Sequence, residues 1–111
     1  MQIDVTDQGE GIAIVTLDGK LNMVSARSFR EAVTETVAAG TARLAIDLTN
    51  VDFIDSSGLG ALISGLKTTR QAGGDLRIAA PNEQVRLVLQ LTNMERLLTA
   101  YDDATTAFTG G

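Results

Sequence analysis

Leu44, Ile46 and Leu48 stand at every second position, and Leu59, Leu62, Ile63 and Leu66 then recur at intervals of three and four. The first spacing is that of a strand with one buried face; the second is that of a helix with one buried face. A strand that gives way to a helix over so short a stretch does so through a turn, and a chain built on that unit belongs to the α/β class. The stretch between the two periodic runs carries the carboxylates of Asp52 and Asp55, the hydroxyls of Ser56 and Ser57, and Gly58. No other turn in the sequence gathers as much exposed chemistry. Ser56 or Asp55 is the expected helix cap, because a short side-chain oxygen accepts from a free N–H of the first turn.

The remaining chain repeats the alternation. Gln2 to Thr6 reads as a short edge strand, and Asp7 to Gly11 as a turn-rich break. Ile12 to Leu17 is almost continuously apolar, as in a strand covered on both faces, and Asp18-Gly19 is expected to end it. Asn22 or Ser25 is placed to cap a helix with Phe29, Ala32, Val33, Thr36 and Val37 on its buried face and Gly40 at its end. Arg43 to Thr49 is the next strand. Gly73-Gly74 ends the helix that follows it. Asp75 to Ala80 reads as a strand stopped by Pro81. Asn82 caps a third helix with a stripe of Val85, Val88, Leu89 and Thr92, widened by Leu87 and Leu91, and Asn93 stops it. Leu97 to Tyr101 reads as a last short strand. Asp102 or Asp103 caps a final turn ending near Phe108, and residues 109–111 are expected to fray. The spacing predicts one α/β domain, a mixed, mostly parallel sheet of about five strands with helices packed on it.

Composition narrows the chemistry. The chain has 111 residues, 44% of them hydrophobic, enough for one domain with a core. It has no cysteine, which removes disulfides, thiol catalysis and thiolate metal sites. It has no histidine, which removes the commonest general base and metal ligand. No cofactor, metal site or catalytic residue is expected. The net charge is −5 with no basic cluster, which disfavours nucleic acid as a partner. No apolar run approaches a membrane span and no basic-plus-apolar leader is visible, so direct membrane insertion is not expected and a cytoplasmic location is. A serine hydrolase would need a base that neither Lys20 nor Lys67 supplies in a known motif. A phosphoaspartate receiver would need an acidic pair after its first strand and a lysine after a late one, and Ile78-Ala79-Ala80-Pro81 has no lysine.

The run Asp52-Phe53-Ile54-Asp55-Ser56-Ser57-Gly58-Leu59-Gly60, followed by Ala61-Leu62-Ile63, resembles the signature of anti-sigma-factor antagonists, small bacterial proteins built on a STAS domain. The resemblance extends over residues 1–111 and implies a single STAS domain. It implies phosphorylation of the first hydroxyl residue after the aspartate, Ser56, by an anti-sigma factor that is a serine kinase. It also implies a partner-exchange cycle. The unphosphorylated protein holds the kinase, phosphorylation releases it, and a metal-dependent serine phosphatase resets the switch. At the start of the first helix such antagonists carry Gly-Glu-Leu-Asp or similar, where this chain has Gly19-Lys20-Leu21-Asn22. A STAS subunit of a lipid-transport or other membrane-associated complex shares the same fold and a related turn. The free-standing length and the complete signature favour the antagonist.

The docking surface so implied takes in Asp52, Asp55, Ser56, Ser57, Gly58, Leu59, Ala61 and Gly65. Each has a plainer reading beside it. Ser56 is also a leading cap residue. Asp55 either orients the Ser56 hydroxyl and assists loss of its proton, or caps the loop. Gly58 keeps the helix start slim, for a partner or for the protein's own backbone. Ser57, Ala61, Gly65 and Thr68 form a small-residue face that fits a partner or close packing within the domain.

Overall fold

The computed structural model describes residues 1–108. Five strands form one sheet in their order along the chain: β1 (Gln2–Gly9), β2 (Ile12–Leu21), β3 (Arg43–Ile54), β4 (Asp75–Ala79) and β5 (Ala100–Tyr101). β1 runs antiparallel to β2, and every later pairing is parallel. The parallel connections pass through α1 (Met23–Ala38), α2 (Ser56–Gln71) and α3 (Glu83–Leu91). Parallel crossovers share one hand, so successive strands added in one direction put all three helices on one face.

That face holds the main core. Val15, Leu17, Leu44, Ile46 and Leu48 point from the strands into a cluster completed by Phe29, Val33, Leu62, Leu66, Val85 and Leu89. The opposite face is thinner. Ile14, Ala45 and Ala79 are covered there by Ala104 and Ala107 of the C-terminal turn, with Tyr101 and Phe108 against them. Arg77 fastens that turn. Its guanidinium lies 4.4 Å from the Phe108 ring centre and donates to the Ala107 carbonyl at 2.7 Å. Asp103 caps the turn, and hydrogen bonds from the Thr105 backbone N–H and hydroxyl hold its carboxyl below the usual carboxylate range.

The local signals for helix ends are realised. Asn22 caps α1 in a reciprocal box with Ser25, so both expected candidates take part. Asn82 caps α3, Gly40 and Gly73 follow α1 and α2 at positive φ, and Asn93 takes the left-handed conformation after α3. Strand ends differ from the expectation. β1 continues past Thr6 to Gly9 through an irregularity between Asp7 and Gly9. β2 continues through Asp18-Gly19 to Leu21, because β3 extends beside it to Ile54 and two shifts in register absorb the glycine. The stretch read as a long turn is thus mostly strand. Asp52 lies on β3, and only Asp55 separates β3 from α2. The last strand shrinks to Ala100–Tyr101, preceded by a 3₁₀ turn at Met94–Arg96. Leu87 and Leu91, expected to widen the buried stripe of α3, are 52% and 76% exposed, because Val85 and Leu89 are the residues α3 buries and the two leucines, each two positions on, point away from that side. Residues 109–111, expected to fray, lie outside the described residues.

Candidate functional site

The site forms where β2 and β3 end and α1 and α2 begin. Asp55 is its hinge. Its Oδ1 accepts from the Gly58 N–H at 2.8 Å, capping α2, and its Oδ2 accepts from the Met23 N–H at 3.3 Å, at the first residue of α1. One carboxylate thereby faces the positive ends of two helix dipoles. Of the two roles open to Asp55 in the sequence, capping is the one its hydrogen bonds describe.

Because Asp55 caps α2, Ser56 does not. It occupies the first helical position, its side chain is exposed, and its hydroxyl has no hydrogen-bond partner among the described residues. Ser57, next in the turn, is half-buried. Gly58 is buried, and a Cβ there would stand 2.0 Å from the Leu21 carbonyl oxygen. The slimness of this helix start thus serves the close approach of α2 to the end of β2.

The rest of the expected surface divides. Asp52 is exposed on β3. Leu59 is 8% exposed and Ala61 is fully buried. A Cβ on Gly65 would stand 2.9 Å from a Leu76 methyl and 3.6 Å from Phe29 and Val33. Of the two readings of the small-residue face, packing within the domain is the one that occupies Ala61 and Gly65. Asp52, Ser56 and part of Ser57 are open to solvent, and Ala61 and Gly65 are not.

Several contributors carry no clear mark in the sequence. Beyond the pairing of Asp47 with Ala79, β3 has no neighbour in β4. The amide side chain of Gln84 takes that place, accepting from the Ile54 N–H and donating to the Ile54 carbonyl, each at 3.0 Å. Asn82 donates to the Val51 carbonyl at 3.2 Å while its oxygen caps α3. Ser25 donates to the Lys20 carbonyl at 2.6 Å. At the start of α1, where the Met23 N–H bonds to Asp55, Met23 and Val24 are 75% and 84% exposed, and Phe53, two residues before Asp55, is 39% exposed, large apolar side chains left uncovered. Arg30 brings its guanidinium within 3.8 Å of where a side chain on Gly60 would begin, one helical turn from Ser56. This cation is close in space though distant in sequence. Among the described residues no group of acidic side chains is arranged to hold a metal ion.

Replacing Gln84 by alanine is expected to lower stability by about 1–2 kcal/mol, because two half-buried main-chain groups lose their partners. Amide hydrogen exchange at Ile54 should accelerate while that of β4 stays unchanged. Equal acceleration in both would show that Gln84 supports the whole sheet and not the β3 end.

A five-stranded mixed sheet with its helices on one face and a serine at the turn after β3 can be compared with known proteins. The family model of the STAS domain matches residues 5–107. The chain belongs to the STAS domain family. A Thermotoga maritima protein provisionally named an anti-sigma factor antagonist is 33% identical over 94 residues, covering 84% of this chain and 83% of that protein. The anti-sigma-F factor antagonist RsfB of Mycobacterium tuberculosis is 29% identical over 106 residues, covering 91% of this chain and 84% of the relative. SpoIIAA in its unphosphorylated form superposes with a TM-score of 0.83 at 17% identity, covering 99% of this chain and 98% of that one. That likeness is one of fold. Among the described residues no helix of this STAS domain is long and apolar enough to cross a membrane.

Proposed function

We propose that this protein is an anti-sigma-factor antagonist switched by phosphorylation of Ser56. The observation that supports this most is the division of labour in the turn. Asp55 does the capping, and the Ser56 hydroxyl stands exposed with no partner of its own among the described residues. A serine placed only for helix stability would hold the cap itself. The names of the relatives point to the same role.

In this reading the protein acts by binding and catalyses nothing. The unphosphorylated surface, with Met23, Val24 and Phe53 around Ser56 and Asp52 at its rim, docks an anti-sigma factor that is also a serine kinase. The kinase transfers a phosphoryl group from ATP to the Ser56 oxygen and lets go. A serine phosphatase hydrolyses the ester and restores binding. The cycle runs in the cytoplasm. The helix N-terminus receives the new anion, since free N–H groups and the dipole of α2 face it.

Incubation with the cognate kinase and ATP, followed by mass-spectrometric mapping, should place a single phosphate on Ser56. Ser56→Ala should abolish incorporation, and Ser57→Ala should leave it intact. Phosphate on Ser57 of the wild type, or undiminished incorporation in Ser56→Ala, would overturn the assignment.

A further inference from the structure

Along the outer side of β2, β1 is an edge strand of eight residues, seven of them exposed, and no described strand pairs with its outer side. Beside it, on the helix face, a groove of about 580 Å³ opens between β1 and the C-terminal half of α1. Its floor is apolar, with Ile3, Val5 and Ala13, and Val5 is 44% exposed. Its rim is acidic, with Asp7, Glu31 and Glu35. Glu31 is paired with Arg27 at 3.2 Å, and no cation pairs with Asp7 or Glu35 among the described residues.

From the open edge and the acidic groove together, we propose that β1 is a docking site for an extended, basic segment of a partner protein, added as a sixth strand. Unpaired main-chain groups along an edge supply the hydrogen bonds of such an addition, and pockets for alternate side chains supply its selectivity. Alternate residues of an added strand point to the helix face and run beside Ile3 and Val5. An apolar residue at one of those positions fills the groove, and a lysine or arginine two residues away, on the same face, meets Asp7, Glu31 and Glu35. Charge also decides against a second copy of this chain. Each copy carries −5, and an edge bearing Asp4 and Asp7 would meet the same carboxylates. An acidic edge thus resists self-pairing while admitting a basic strand. In the groove Val5 and Asp7 stand beside Val15 and Ala13, along the C-terminal half of α1, whereas the Ser56 turn lies beyond Leu21 at the start of α1, so the two surfaces are separately occupied.

A synthetic peptide Thr-Lys-Thr-Val-Thr-Lys-Thr, capped at both ends and carrying its valine and lysines on one face, is the probe, titrated into the full chain and followed by amide spectra. Saturable shifts confined to β1, β2 and residues 28–41 are expected. Replacing the central valine of the peptide by proline should abolish them, because proline cannot complete the strand pairing. The double substitution Glu31→Lys with Glu35→Lys, both exposed positions, should weaken binding at least tenfold with an unchanged melting temperature. Ser56→Asp should bind the peptide as the wild type does. Equal binding of the proline peptide, indifference to the double substitution, or shifts centred on Ser56 would overturn the proposal. So would a dimer that dissociates when the β1 edge is blocked, because it would make the occupant a second copy.

Discussion

Gly58→Ala should lower the stability of this domain by about 3 kcal/mol, because inserting a methyl group into a packed contact costs 1–3 kcal/mol and the obstacle here is main chain. The added Cβ would stand 2.0 Å from the Leu21 carbonyl oxygen and 2.8 Å from its carbon. A flexible side chain moves aside cheaply; a carbonyl at the end of a parallel strand does not. Leu21 is paired with Ile54, its carbonyl accepts from the Asp55 N–H, and Asn22 next to it caps α1. Any shift that admits the methyl therefore disturbs both helix starts and the bonds Asp55 makes to them. A loss of that size moves the melting temperature by on the order of 10 °C in a domain of this length. Gly60→Ala is the matched control. The nearest atom to its Cβ would be the Arg30 guanidinium at 3.8 Å, an ordinary contact, and alanine is the better helix former by about 1 kcal/mol. The control should melt at or above the wild-type temperature. Equal destabilisation by both substitutions would mean that helix geometry, and not the approach to Leu21, sets the requirement.

Phosphorylation of Ser56 is expected to weaken partner binding about a hundredfold and to leave the fold in place. A phosphoserine adds roughly −1.5 to −2 charges near neutral pH. One unit of like-charge repulsion at about 5 Å and an effective dielectric of about 20 is on the order of 3 kcal/mol, which is about a hundredfold in affinity. Inside the protein the new anion meets the N-terminus of α2, with Arg30 one turn below, so the domain itself tolerates it. Its effect is felt at the surface, where a partner must desolvate it beside Asp52 and among Met23, Val24 and Phe53. Amide spectra of the phosphorylated form should shift around Asp52 to Leu59 and at Met23, whose N–H shares Asp55. Ser56→Asp should reproduce the block in part, having one charge and less bulk. Shifts reaching Ile12 to Leu17, or a large fall in melting temperature, would favour a conformational switch over a local block.

Much of the architecture was legible because its signals are local. Asn22, Asn82, Gly40 and Asn93 mark helix ends by side-chain and backbone chemistry that needs no tertiary partner, and all four stand where that chemistry placed them. The end of β3 was not legible for the converse reason. Asn50 and Asp52 are turn residues by preference, and what makes them strand is the tail of β2 on one side and the amides of Asn82 and Gln84 on the other. A glutamine side chain standing in for a strand leaves no periodic trace. Helical spacing likewise gave a face to Ala61 and Gly65 without saying what covers it; Phe29, Val33 and Leu76 do so at Gly65. At the candidate site the serine and its aspartate were visible from the signature. The exposed Met23 and Val24 were not, because what brings the start of α1 to the turn is the Asp55 bond to the Met23 N–H.

The most direct measurement is a calorimetric titration of the cognate anti-sigma kinase with this protein in three states: unphosphorylated, phosphorylated on Ser56, and phosphorylated then treated with phosphatase. Tight binding, a loss of about a hundredfold, and full recovery are the results predicted. Equal affinity of the unphosphorylated and phosphorylated forms would contradict the account.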